Sequence, residues 1–282
     1  MYAFNYHRAS GLRQAINMLG KLEDPKLLAG GQTLLPTMKQ RLASPANLID
    51  LGQVEGINEI ELKGRSLVIG AMARHAEVAN SPVVQQAIPA LAELASMIGD
   101  PAVRHRGTIG GSVANNDPNA DYPAAVLGLG ATVITSKRKI AADDFFKGLF
   151  ETALEPDEII TKISFPVPKK AGYYKFRNQA SRFALVGVFV AKRPSEIRVA
   201  VTGAGASGVF RVPSFEEALK KRFSPKSLDG LSIPATGLAS DIHGSAEYRA
   251  HLVGVCARRA VAAADVKTES KIGVTGGAGE QN

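Results

Sequence analysis

The chain has 282 residues, of which 45% are hydrophobic and 21% charged, the balance of a folded protein long enough for about two domains and not of a disordered one. No apolar run approaches the about 20 residues a membrane-spanning helix needs, and the opening MYAFNYHRASGLRQ lacks the apolar core of a signal peptide, so a cytoplasmic location is expected. The formal net charge of +8 is spread over short groups at Lys137, Lys169, Lys220 and Arg258, which excludes a continuous basic tract for nucleic acid and fits an acidic ligand or an acidic partner chain.

In chain order, SGLRQAINMLGKL reads as a helix capped at Ser10, with Leu12, Ala15, Ile16 and Leu19 at helical spacing. A short apolar strand from Lys26 leads into the pair Gly30–Gly31 and then a helix, TLLPTMKQRL, that tolerates Pro36 in its first turn. ANLIDL is a strand, and GINEIELKGRSLVIGA is two strands joined at Lys63–Gly64. One helix is expected from about Ser81 to Met97, with Val84, Ile88, Leu91 and Leu94 on its apolar face. A second glycine pair, Gly110–Gly111, precedes the short helix DYPAAVLGL, strands in ATVITSKRKIAA, and the strand of EPDEIITKISFPVP, which prolines close. Those prolines and KKAG mark a boundary near residue 170. Beyond it YYKFRNQ, FALVGVFVAK and EIRVAVTG suggest a meander, followed by helices in SFEEALKKRF and AEYRAHLVGVCARRAVAAA and a mobile tail, GGAGEQN.

The chemistry concentrates in the glycine pairs. Successive backbone N–H groups in a glycine turn can converge on an anion, and a helix N-terminus behind them adds partial positive charge. Ala29 to Thr33 and Thr108 to Ser112 both suit this, and two such loops facing each other would suit a ligand with two linked phosphates. Ordinary turns are the competing reading, and the residues alone leave both open. A third segment, VTGAGASGVF, matches G-x-G-x-x-G through Gly203, Gly205 and Gly208. That fingerprint requires a helix opening directly behind it, and VFRVP is not one, so a nicotinamide site is not expected there. The single cysteine, Cys256, allows no internal disulfide, and none of the five histidines forms a pair at metal-ligand spacing. A metal or iron–sulfur site built by this chain alone is not expected.

Taken together, LAGGQTLLPTMKQRL, GTIGGSVANNDPNADYPA and AEYRAHLVGVCARRAV resemble the FAD-binding medium subunit of molybdenum hydroxylases, of the aerobic carbon monoxide dehydrogenase and xanthine dehydrogenase flavoprotein type, over almost the whole chain. The resemblance implies an α+β fold: a PCMH-like FAD-binding region over residues 1–170, in subdomains of about 1–55 and 56–170, then a smaller α+β domain with an antiparallel sheet over 171–270 and a tail over 271–282. It implies FAD as cofactor, with Ala29, Gly30, Gly31, Gln32 and Thr33 forming one pyrophosphate loop and Thr108, Ile109, Gly110, Gly111 and Ser112 the other. Asp121 would accept hydrogen bonds from sugar or ribityl hydroxyls, a role compatible with capping the helix behind it. Ile160 would pack near the flavin ring, or be a plain core residue; Lys175 would place a cation near the ring's pyrimidine end, or be an exposed strand lysine. Three departures from the family pattern are Ser112 for Asn, Arg182–Phe183 for an acid–aromatic pair, and Arg74 for a Thr before His75.

The function so implied is electron transfer. A small subunit with two [2Fe–2S] clusters and a large subunit with a molybdenum cofactor would complete the complex, as a dimer of heterotrimers. Electrons would pass from the clusters to FAD and on to an external acceptor, with no catalytic acid or base on this chain. Two alternatives stand beside it: a free-standing flavin oxidoreductase, for which Tyr6, His75 and Tyr122 are the available acids or bases, and a non-enzymatic module that has lost FAD.

Overall fold

Three parallel strands, Asn5–Arg8, Pro25–Leu28 and Asn47–Asp50, open the computed structural model, which describes residues 1–265. The third strand lies between the other two. The helices Leu12–Lys21 and Leu34–Lys39 serve as crossovers, as parallel neighbours require. The first helix buries Ala15 and Leu19 against Ile49 and Leu51. Ser10 does not cap it through its own oxygen; its N–H and hydroxyl both donate to the Gln14 side chain, at 2.7 and 2.8 Å. Parallel strands share a carboxyl edge, and the segment Ala29–Thr33 leaves from that edge.

A five-stranded antiparallel sheet follows, in the order Ile60–Lys63, Ser66–Gly70, Ile160–Pro166, Thr132–Thr135, Lys139–Ala141. Its Leu67, Ile69, Val133, Ile163 and Phe165 pack into one cluster with Leu91, Leu94 and the helix Tyr122–Leu129. The single helix expected over Ser81–Met97 is two, Pro82–Ala87 and Pro89–Ser96. Ile88 breaks them at φ −144°, because a residue before proline is pushed out of the α region and Pro89 has no N–H to continue the ladder. Val84, Ile88, Leu91 and Leu94 are nevertheless all fully buried.

A four-stranded antiparallel sheet runs Lys170–Arg177, Ala184–Lys192, Ile197–Thr202, Phe210–Arg211 in sequential order. Its longest strand is covered on both faces, as the twofold side-chain alternation allows: Val186, Val188 and Val190 meet the helices Pro213–Lys221 and Ala246–Asp265, while Phe189 and Ala191 join the cluster around Tyr122–Leu129. Gly172 lets the long helix approach closely, for a Cβ there would lie 2.0 Å from the Ala260 carbonyl oxygen. Behind Gly203, Gly205 and Gly208 no helix opens; a two-residue strand comes first and the helix begins at Pro213. Among the described residues no helix is long and apolar enough to cross a membrane. The expected tail lies outside the described residues.

Candidate functional site

The two glycine segments meet. A Cβ on Gly30 would sit 2.3 Å from the Arg106 carbonyl oxygen and 2.6 Å from Gly107 Cα, and one on Gly111 would be 3.6 Å from Ala29 Cβ. The loop from the parallel sheet therefore lies directly against the backbone that enters the second segment. Gly31 holds φ +72°, a left-handed conformation that glycine adopts without a Cβ penalty. From Gly30 through Leu34, successive backbone N–H groups find no acceptor among the described residues. Gln32 and Thr33 are exposed beside them. Buried donors without partners are rare in native structures; here the run is partly open to solvent and can serve an anion.

The second segment is built differently. Gly110 and Gly111 are not a turn ahead of a helix; they lie in the first turn of the helix Ile109–Asn115, which Thr108 caps by accepting from Gly111 N–H at 3.1 Å. Most of its donors are already engaged: Ile109 N–H with Ala73, Gly110 N–H with Ala71 at 2.8 Å, Ser112 N–H with Thr108. A Cβ on Gly110 would come 2.5 Å from Ala71 Cβ, so this glycine is demanded by the chain's own Ala71–His75 segment. Thr108 and Gly110 are buried, while Gly111 and Ser112 are half-buried on the side of the first loop.

Under this helix lies a buried polar layer. His75 is buried and its Nδ1 has no hydrogen-bond partner; its backbone N–H donates to the Gly107 carbonyl at 2.9 Å, and its ring lies 5.4 Å from that of Tyr122. Burial first, and the Arg104 guanidinium second, hold the His75 imidazole down at about 4, so it is neutral at physiological pH. The Tyr122 hydroxyl is buried without a partner, as is the side-chain Oδ1 of Asn116. Of the four such orphaned atoms among the described residues, these three border the second segment; the fourth is Arg249 Nε. Asn116 takes φ +44° just past the helix and donates to the carbonyls of Gly148 and Glu151, both at 2.8 Å. Arg104 donates to the Ile98 and Gly99 carbonyls, leaving Arg106 as an exposed cation beside the first loop.

Asp121 and Lys175 are brought together. Lys175 Nζ donates to Asp121 Oδ2 at 2.9 Å and to the Met97 carbonyl at 3.1 Å, while the Tyr173 hydroxyl donates to Asp121 Oδ1. The carboxylate and the lysine side chain are 4% and 1% exposed. Burial pushes the Asp121 carboxyl above its ordinary range, and Lys175 pulls it back. Lys175 is thus no exposed strand lysine, and Asp121 stands at the N-cap position of the helix Tyr122–Leu129 but spends its carboxylate on Tyr173 and Lys175 instead of on a cap bond. A carboxylate has about four lone-pair sites, so some accepting capacity remains. Ile160 opens a central strand and shares the apolar cluster of Tyr122 and Tyr173. Arg182 and Phe183 sit on an exposed tip, Arg182 at φ +62° and Phe183 51% exposed.

Several contributors were not singled out from the sequence: Tyr173, Asn116, Met97 and the Ala71–Ala73 part of the seat. Tyr173 was within reach, because it stands two residues from Lys175 and so shares its strand face. Asn116 carried the signal of an Asn just past a helix. The seat had none. Of the three acids and bases a free-standing oxidoreductase could use, the Tyr6 hydroxyl is engaged by Asp50, and His75 and Tyr122 are buried. Cys256 is buried, and burial pushes its thiol up to about 12, so it is neither nucleophile nor ligand. No cluster of three or more His, Cys, Asp or Glu able to hold a metal occurs among the described residues.

A family model described as the FAD binding domain in molybdopterin dehydrogenase matches residues 2–168. The chain is 38% identical over 280 residues to the nicotine 6-hydroxylase medium subunit of Paenarthrobacter nicotinovorans, covering 94% of this chain and 99% of that one. It is 35% identical to the carbon monoxide dehydrogenase medium chain of Hydrogenophaga pseudoflava, covering 93% and 96%. The fold superposes on the structure of carbon monoxide dehydrogenase from Hydrogenophaga pseudoflava lacking the Mo-pyranopterin moiety, with a TM-score of 0.84, 35% identity, and coverage of 93% and 97%. It also superposes on quinoline 2-oxidoreductase from Pseudomonas putida 86, with a TM-score of 0.83, 28% identity and the same coverage.

Proposed function

The chain belongs to the family of FAD-binding domains of molybdopterin dehydrogenases, an oxidoreductase component that binds FAD, and on that premise we propose that it relays electrons from an iron–sulfur partner to an external acceptor. The observation that carries this reading is the contact between the two glycine segments, one with a run of free N–H donors and the other with a capped helix start. The residues fit FAD: linked phosphates need converging donors and close backbone approach, and the acid and base bordering the second segment, Tyr122 and His75, are buried.

In this reading Gly30, Gly31, Gln32 and Thr33 donate to the pyrophosphate from one side, with Ala29 setting the loop's departure. Thr108, Ile109, Gly110, Gly111 and Ser112 close the other side, their backbone held rigid by the Ala71–His75 seat. Arg106 adds positive field without a fixed contact. Asp121 offers its remaining lone pairs to a cofactor hydroxyl while Tyr173 and Lys175 hold it in place. Lys175 and Ile160 shape the side facing the ring. Bound FAD supplies the one- and two-electron chemistry; the protein positions it and sets the field. Residues of about 1–170 form the cofactor-binding region, in parts of about 1–55 and 56–170, and a smaller α+β domain begins at about residue 171.

The relatives' names, medium subunit and medium chain, support membership of a larger assembly. We assign iron–sulfur clusters and the molybdenum cofactor to partner chains, in a dimer of heterotrimers, with substrate oxidised on the molybdenum chain. Tagged purification with its co-expressed partners, with flavin, iron and molybdenum measured on the eluate, tests this. Stoichiometric FAD with co-eluting iron and molybdenum supports it. A chain that purifies alone, free of metal, and oxidises an organic substrate would make it a free-standing oxidase instead.

A further inference from the structure

A cation that acts on a bound flavin must keep a charge that nothing beside it cancels, and Lys175 does not. Its ammonium is paired with the Asp121 carboxylate at 2.9 Å, so the two buried side chains enter the site as a neutral unit. The rest of the buried layer adds no charge. His75 is held neutral at physiological pH, and burial pushes the Tyr122 and Tyr173 hydroxyls upward. Arg104 turns its guanidinium onto the Ile98 and Gly99 carbonyls.

Arg177 is placed differently. Side chains two residues apart on a strand share a face, with about 7 Å between them along the chain. Arg177 therefore follows Tyr173 and Lys175 on the face turned to the Tyr122–Leu129 cluster, while Tyr174 and Phe176 turn to the long helix. Across the ladder Lys175 meets Gly187 and Arg177 meets Ala184, residues too small to cover that end of the face. Arg177 is exposed at the last position of its strand and makes no hydrogen bond or ion pair among the described residues. The turn behind it, from Asn178 to Phe183, carries no carboxylate; Arg182 stands where the family pattern has an acid. The loop that meets this turn, through Asn178 and His243 at 3.2 Å, has its Asp241 already bonded to Arg249 at 2.8 Å. Nothing on the chain neutralises Arg177.

We propose that Arg177, and not Lys175, supplies the positive field at the ring end of the site and raises the reduction potential of the bound flavin. The proposal rests on the placement of the ring beside Lys175 and Ile160 given above. A flavin gains negative charge on reduction, and an unpaired cation close by favours that form. The test is the two-electron midpoint potential of the purified FAD-loaded chain, measured by dye equilibration at pH 8 and low ionic strength. Arg177→Gln removes the charge and Arg177→Lys keeps it. Arg222→Gln, at the exposed end of the helix Pro213–Lys221 on the opposite face of the sheet, removes an equal charge elsewhere. Because the Arg177 side chain is bonded to nothing, its variants should match the parent in melting temperature and FAD content. In Arg177→Gln the reduced flavin should lose about tenfold in preference, a fall of roughly 30 mV for a two-electron couple. The fall should shrink in high salt, where exposed charges are screened. Arg177→Lys should recover most of it, and Arg222→Gln should leave the potential at the parent value. An unmoved potential in Arg177→Gln, or an equal fall in Arg222→Gln, would overturn the proposal. The underlying placement fails by a different sign. Lys175→Met leaves the Asp121 carboxylate unpaired, which must lower the potential of a ring beside it. Parent potentials in both Lys175→Met and Arg177→Gln would refute the placement of the ring, whereas a fall in Lys175→Met alone would refute only the role of Arg177.

Discussion

Replacing Lys175 by Met should strand the Asp121 carboxylate inside the protein. The lysine ammonium lies 2.9 Å from that carboxylate, and their side chains are 1% and 4% exposed. Breaking a buried pair from one side costs about 3–5 kcal/mol because the remaining charge stays desolvated, whereas removing both charges is often close to neutral. With about 2–4 °C of Tm per kcal/mol for a chain of this size, the single variant should melt roughly 6–20 °C lower, and Asp121→Asn with Lys175→Met should recover most of the loss. The pH dependence has a defined sign. Burial already pushes the carboxyl up, and the first opposing influence is Lys175; without it the folded-state pKa rises further above the unfolded value. The folded variant then binds more protons than the unfolded chain, so its stability falls as pH rises through that window and is best at acid pH. Denaturant melts of the three proteins at pH 5, 6, 7 and 8 provide the assay. A single variant within about 1 kcal/mol of the parent, with no pH slope relative to it, would refute the reasoning, since the quoted cost applies only to a dry, unpaired charge.

Three other expectations follow from the same contacts. His75 at about 4 is depressed from 6.5, so the unfolded chain takes up a proton first as pH falls through that interval; at about 1.36 kcal/mol per unit this removes roughly 3 kcal/mol of stability between neutral pH and pH 4, and His75→Phe should flatten that part of the pH–stability curve. Gly31→Val, at φ +72° in the open loop, should lower FAD affinity at least tenfold with the far-ultraviolet circular dichroism spectrum preserved; stoichiometric FAD would remove the first loop from the site. Gly205→Ala crowds the Gly208 carbonyl oxygen, 2.3 Å from the new Cβ, so it should lower Tm yet leave FAD content intact and create no change in NADH binding, read by equilibrium dialysis.

Much of the molecule was readable from local pattern. Strand–glycine–helix order located both glycine segments, and successive apolar, β-branched runs marked the C-terminal meander, because each rests on neighbours in sequence. The helix expected over Ser81–Met97 was split because Pro89 acts on Ile88, a local rule overlooked beneath a good apolar stripe. Other features had no local trace. That Gly30 faces Arg106 and that Gly110 faces Ala71 are contacts between separate elements, and no spacing encodes them. The same holds for Lys175, whose strand position gave no sign that Met97 and Asp121 would enclose it. Family resemblance, and not periodicity, singled out Asp121 and Lys175, and the ion pair between them emerged only with the fold.

Rapid mixing of the assembled complex with its oxidisable substrate tests the relay most directly, by following cluster and flavin absorbance in the same trace. The account predicts that the iron–sulfur signal bleaches before or with the flavin, and that a complex carrying Gly31→Val reduces its clusters while passing no electrons to the acceptor. Flavin reduction that precedes the clusters, or that persists at the full rate in the isolated chain given substrate alone, would contradict it.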